Sequence, residues 1–232
     1  FGRARDRELI IDKIKRGIGP SLSLTVPMFF GILVISISLS LVIAFVQGTV
    51  WDALAVIICV AGMSIPYLSF ILFGQYVFAY KWGFFPVFFS PDLSPSQYVA
   101  LPVLIGIIAG LGGNLRFYRT VMLDEMRSDY VRTAFAKGLT PGRVLFKHVL
   151  KNAMIPIITR VVLAIPFLFL GSLLLERFFG IPGLGYLMVE AIGSRDYYVI
   201  NAMTYISAIL FVAFNVITDI CYAWVDPRIS FD

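Results

Sequence analysis

From residue 22 to residue 46 the chain runs for twenty-five positions without a charge, interrupted only by Pro27 and Gly31. Four more apolar runs follow, at about 53–80, 99–115, 155–175 and 202–224. Crossing a bilayer takes ~20 apolar residues in a helix. In lipid every backbone N–H and C=O must be paired within the segment, so such runs fold as helices. The runs therefore predict an all-α integral membrane protein with five spans. Composition agrees: 59% of residues are hydrophobic and 14% charged, where a soluble domain carries about a quarter. The net charge of +5 does not point to nucleic acid, because no basic stripe lies on a soluble domain. Cys59 and Cys221 both lie in apolar runs and have no metal-ligand spacing, and His148 is the single histidine. No metal or cofactor site is expected.

Residues 1–18 mix both charges with Leu9, Ile10, Ile14 and Ile18 at helical spacing. This pattern predicts a separate short amphipathic helix at an interface. The chain begins at Phe1 and has no signal-peptide pattern, so residues are expected to be missing before it. Ser64-Ile65-Pro66 predicts a kink in the second run. Trp82, Phe84 and Phe85 resemble an interfacial aromatic belt. Gly106, Gly110, Gly112 and Gly113 permit close helix packing, within this chain or against a partner. A short apolar helix over 184–192 is too short to span.

Basic residues set the orientation. Arg116, Arg119, Arg127, Arg132, Lys137, Arg143, Lys147, Lys151 and Arg160 make nine around the loop between the third and fourth runs. The loops on the other side hold three, Lys81, Arg177 and Arg195. The loop at 127–152 and the C-terminus are thus expected in the cytoplasm, and residues 1–18 outside. Six basic residues in 1–18 oppose this, offset by three acids.

Within the loop, Ser128 is a helix cap and the helix runs through Tyr130, Val131, Ala134 and Phe135 until Gly138 stops it. Thr140-Pro141 opens a second helix. It carries Val144, Leu145, His148 and Val149 on one side, with Arg143, Lys147 and Lys151 as a basic face. It returns into the fourth run at 152–156. Such a helix–turn–helix suits a cytoplasmic partner; it is equally what a basic topology-setting loop would look like.

The text Y-V-R-T-A-F-A-K-G-L (130–139) followed by H-V-L-K-N-A-M-I-P (148–156) resembles the "EAA loop" of permease subunits of binding-protein-dependent ABC importers. It is most similar to the peptide/nickel group, and A-K-G-L to the first of its two permeases. S-I-P (64–66), P-G-L-G (182–185), V-E-A-I (189–192), R-D-Y (195–197) and D-P-R-I (226–229) follow in the same order. The family's Glu-Ala-Ala is Arg132-Thr133-Ala134 here. The resemblance implies a type I importer permease fold in a bacterial or archaeal cytoplasmic membrane. It implies six spans, the first absent from this chain, with residues 1–18 as the external segment before the second. It implies four partners besides lipid: a second permease, two ATP-binding cassette subunits and an external solute-binding protein. Arg132, Thr133, Ala134, Lys137, Gly138, Leu139 and Arg143 would form the ATPase-coupling helix and its surroundings. Phe179, Gly180, Pro182, Gly183 and Gly185 would lie at the external gate, near the binding protein. The solute would be a peptide or a similar small molecule.

There is no G-x-x-x-x-G-K-[ST] phosphate loop, so ATP hydrolysis is expected in partner subunits and this chain is expected not to be an enzyme. The alternative is a secondary transporter or channel. Those place ionisable groups in mid-membrane, whereas the first four runs have none between their ends beyond Arg160, just inside the fourth. Asp219 lies near the end of the fifth and is read as facing the interface. Gln75, Asn114 and Asn215 read as helix–helix hydrogen-bonding groups. A purely structural scaffold would not need a glycine-hinged basic loop.

Overall fold

The computed structural model describes residues 2–225, apart from the side chains of 218, 219 and 221–225. Asp219's side chain and the D-P-R-I text thus lie outside the described residues. Ten α-helices and two π-helical stretches make up the regular structure. In order they are α1 (Ile10–Phe45), α2 (Val50–Ser64), α3 (Tyr67–Gly74), α4 (Pro95–Met126), α5 (Asp129–Ala136), α6 (Pro141–Val144), α7 (Leu150–Leu170), α8 (Leu173–Phe179), α9 (Leu184–Ser194) and α10 (Tyr197–Val225). The π stretches extend α3 through Gln75–Lys81 and join α6 to α7 through Leu145–Val149. Among the described residues, four helices are long and apolar enough to cross a membrane, and five when the broken pair Val50–Ser64 and Tyr67–Lys81 counts as one span.

Several boundaries differ from expectation. Residues 1–18 do not form a separate helix. Arg3 and Leu9 make an antiparallel bridge, and α1 then starts at Ile10 and runs unbroken into the first span. Its early charges are paired with this turn, Lys13 with Asp6 and Arg16 with Glu8. That removes the reason for a separate interfacial helix. Pro20 and Pro27 stay inside the helix, as membrane helices allow when neighbouring groups satisfy the backbone. The second span is interrupted outright at Ile65-Pro66 rather than kinked, because Pro66 cannot donate and restricts Ile65 to an extended conformation (ψ 124°). The third span continues as α4 to Met126. The fourth breaks at Gly171-Ser172, so Leu175 belongs to α8. Gly171 has φ +74°, which ends α7 before the expected boundary.

Two compact units divide the chain. One takes the first 29 residues, Tyr67–Gly106 and the chain from Val162 on; the other takes Phe30–Pro66 and Ile107–Val161. The second unit has a single core of Leu41, Ala44, Tyr118, Met122, Leu123, Val131, Val144, Val149 and Ile157 with their neighbours. Gly112 lets α4 lie against α2 there: a Cβ would stand 2.9 Å from the Cys59 carbonyl oxygen. Gly110 faces Ile32 in the same unit, so these two glycines serve packing inside the chain. The first unit has two cores. One joins Ile10 and Ile14 to Leu184, Ala191 and Val199. The other joins Leu24, Ile71 and Ile105 to Leu175, Phe179 and Ile181.

Candidate functional site

The basic loop lies in the second unit. Helix α5 turns Val131 and Ala134 into the core, while Arg132, Thr133, Phe135, Ala136 and Lys137 face out. Its end is a Schellman motif. Gly138 has φ +77°, its N–H donates to the Phe135 carbonyl (2.9 Å), and the Leu139 N–H donates to that of Ala134 (3.3 Å). Leu139 packs at the edge of the core. Thr140 is extended and Pro141 opens α6. Neither the Ser128 nor the Thr140 hydroxyl makes a capping bond; backbone conformation and Pro141 set these starts instead. No separate second helix forms. Through the π stretch, α6 continues into α7, which buries Val144, Leu145 and Val149 and leaves Arg143, Phe146, Lys147 and Lys151 exposed.

The loop is anchored from inside. Tyr130 donates its hydroxyl to Glu125, and burial together with that carboxylate raises the phenol's pKa. Arg132 lies 3.6 Å from Asp129, an exposed pair that contributes little. A stronger clamp sits nearby, between α2 and α4. Arg119 Nε and Nη2 each donate over 2.8 Å to the two carboxylate oxygens of Asp52, and the Gly48 N–H adds a third bond at 3.1 Å. Such a bidentate pair fixes both distance and orientation. Asn114 donates to the Gly110 carbonyl and accepts from Arg160, whose guanidinium lies 4.3 Å over the Phe117 ring.

In the first unit the P-G-L-G corner closes around a carboxylate. Glu176 on α8 is wholly buried. Its Oε1 accepts from the Ser21 hydroxyl (2.8 Å) and the Ser172 N–H (3.0 Å), and its Oε2 from the Tyr186 N–H (3.0 Å). Ser21 Oγ in turn accepts from the Leu184 N–H (2.7 Å). A Cβ on Gly171 or Gly183 would run into Glu176 and Ser21, and one on Gly185 would stand 2.8 Å from the Leu173 nitrogen. Gln75 donates to the Val87 and Phe178 carbonyls, and the Phe89 N–H to that of Phe179. These bonds tie the loop after α3 to α8. At the start of the chain, Arg5 donates its N–H to Asp196 (2.8 Å) and its guanidinium to the Ser194 carbonyl.

Residues 36–231 match the family described as the binding-protein-dependent transport system inner membrane component. The chain belongs to this family. It is 43% identical over 177 residues to the oligopeptide transport system permease protein AppB of Bacillus subtilis, covering 73% of this chain and 56% of that protein. It is 32% identical to the dipeptide permease protein DppB of Alkalihalophilus pseudofirmus, covering 98% of this chain and 76% of the relative. It is also 32% identical to the glutathione permease protein GsiC of Shigella flexneri, covering 97% and 72%.

In this inner membrane component, the residues expected to couple to an ATPase fall into two groups. Arg132, Thr133, Lys137, Gly138 and Arg143 are exposed; Ala134 is 4% exposed and packs inward. The same division holds at the corner, where Pro182 is exposed, Gly180 is half-buried, and Phe179, Gly183 and Gly185 are buried. Gly180 is needed for its φ of +68°, with open space around it. Sequence reasoning missed four residues. Phe135 and Phe146, 41% and 67% exposed, read as ordinary helical apolar positions. Glu176 and Ser21 lie 155 positions apart, Glu176 just past the expected fourth span and Ser21 just before the first. Of the three polar span residues, Gln75 and Asn114 make bonds, and Asn215 makes none among the described residues.

Proposed function

We propose that the chain is one permease subunit of an ATP-driven importer. With a second, homologous permease it forms the path for peptides or similar small solutes. Two cytoplasmic ATP-binding cassette subunits power it, and an external solute-binding protein delivers the solute. The observation that carries this reading is the loop at 127–152. One side of α5 and α6 is locked into the chain's own core. The other leaves Arg132, Lys137, Arg143, Phe135 and Phe146 exposed. Aromatic and arginine side chains on one fixed face are what a partner's groove binds best. The names of the peptide and glutathione permeases support the solute class, and the basic residues of the loop support its cytoplasmic side. The Glu176 corner then lies toward the outer face, beside the solute path. Hydrolysis belongs to the cassette subunits, and this chain transmits their movement.

The test is uptake of a labelled oligopeptide panel into proteoliposomes holding both permeases, the ATPases and the binding protein. Uptake should require internal ATP and survive ionophores. Uptake without ATP that ionophores abolish would instead support an ion-coupled transporter.

A further inference from the structure

We propose that Glu176 is a positioning residue for transport: it fastens the first part of α1, the α7–α8 corner and the start of α9 into one piece, so that the P-G-L-G corner moves only together with α1. This rests on the reading that the corner borders the solute path, and its test separates the two.

Glu176 brings a carboxyl group into the core of the first unit. Glu176 is fully buried, and no Lys or Arg is paired with it among the described residues. A buried carboxylate without a cation must be solvated by hydrogen-bond donors. Here the donors come from three separate parts of the chain: the Ser21 hydroxyl from α1, the Ser172 N–H from the corner, and the Tyr186 N–H from α9. Ser21 completes a ring by accepting the Leu184 N–H, also from α9. Moving α9 away from α1 would leave both the carboxylate and these donors unpaired in a place water does not reach, and a half-satisfied buried network is worse than none.

Packing says the same independently. Gly171, Gly183 and Gly185 let three backbones close on the carboxylate: a Cβ on Gly171 or Gly183 would stand 2.3 Å from one of its oxygens, and one on Gly185 3.0 Å. Below the ring, Gly17 brings α1 so close to α9 that a Cβ would stand 2.9 Å from Leu184 Cδ2 and 3.2 Å from the Leu184 nitrogen. Ile10 and Ile14 of α1 share a core with Leu184 and Ala191 of α9. The corner's glycines and the glutamate therefore form a rigid joint. A flap hinged at P-G-L-G would need the opposite: loose packing, and polar groups that water can re-satisfy.

The experiment uses the complete transporter in proteoliposomes, with Cys59 and Cys221 replaced by alanine and the pair Gly17→Cys and Leu184→Cys added. Replacing Leu184 removes the side chain that a Cβ at 17 would meet. Reduced, this pair should take up peptide at the parent rate; failure of the parent itself would sink the transport reading, not the joint. Oxidised, it should keep more than half that rate, since a cross-link inside a rigid piece costs no motion. Loss of uptake on oxidation, recovered by reductant, would mean α9 moves against α1 and would overturn the proposal. Glu176→Ala should lower uptake at least tenfold while the ATPases remain bound, and oxidising the cysteine pair in that background should recover much of it. A Glu176→Ala transporter that assembles and runs at the parent rate, or one that the cross-link does not rescue, would also overturn it.

Discussion

Phe146 offers the sharpest quantitative test of the docking face. The side chain is 67% exposed, although it sits in a helix whose neighbours Leu145 and Val149 are buried. An aromatic side chain buries roughly 200 Å² when enclosed, so roughly 130 Å² remains for a partner to cover. At ~25 cal/mol per Å² that is about 3 kcal/mol. Alanine keeps a small part of this contact, which leaves a loss of roughly 2–3 kcal/mol, or about thirty- to a hundred-and-fortyfold in affinity. The third already covered within the chain is worth roughly 1.5–2 kcal/mol, a shift of several degrees in melting temperature. Phe146→Ala should therefore separate binding from folding. The assay is titration of the purified ATPase subunits onto the permease pair in nanodiscs, beside a thermal melt of the same sample. An affinity within twofold of the parent, with the melt shifted by no more than several degrees, would refute the docking face as drawn.

Gly138→Ala should cost about 1–2 kcal/mol through the left-handed backbone alone, because no atom stands within 4 Å of the added Cβ; amide exchange at 134–140 should speed up while the rest of the chain holds its protection. Asp52→Ala should destabilise by about 3 kcal/mol, since the Arg119 guanidinium is left part-buried and unpaired; Asp52→Leu combined with Arg119→Leu should recover at least half of that in the melt. Ala134→Asp should lower the melting temperature strongly by placing a charge in the core, whereas Thr133→Asp, one position outward, should change stability by under about 0.5 kcal/mol and still weaken ATPase binding. Acid should loosen the first residues. The hydrogen bond from Lys13 holds the Asp6 carboxyl below its usual value. Its contribution is complete above about pH 5 and is lost as the pH falls through that lowered value; protease cleavage before Ile10 that stays flat on acidification would count against it.

What the sequence made legible follows from how far each signal reaches along the chain. Span number, the stop at Gly138 and the start at Pro141 are local: hydropathy, one left-handed residue and one missing donor decide them. The face of α5 was also within reach, because Val131 and Ala134 are three apart and point the same way. The family motif places Ala134 among the coupling residues, and in the fold its side chain packs into the core. Helix ends were harder. Residues 3–9 and the first two turns of α1 are both rich in charge, and the pairing of Lys13 with Asp6 and Arg16 with Glu8 joins them. The clamp between Asp52 and Arg119 crosses 67 positions, and no periodicity announces it.

The P-G-L-G text shows how a motif can be noticed for one reason and kept for another. Read as a string, it resembles the family's external gate, near the solute-binding protein. In the fold Gly180, just before this text, and Gly171 answer to backbone conformation. Gly183 and Gly185, with Gly171 from the end of α7, answer to the volume of the Glu176 carboxylate and the Ser21 hydroxyl. Three small residues and one acid thus form a single constraint: the acid needs donors from several backbones, and those backbones can come near enough only where no Cβ intervenes. A substitution at Gly183 or Gly185 should therefore act like one at Glu176. The basic loop has the opposite design, with its fixed side turned to the chain's own core and its reactive side left open.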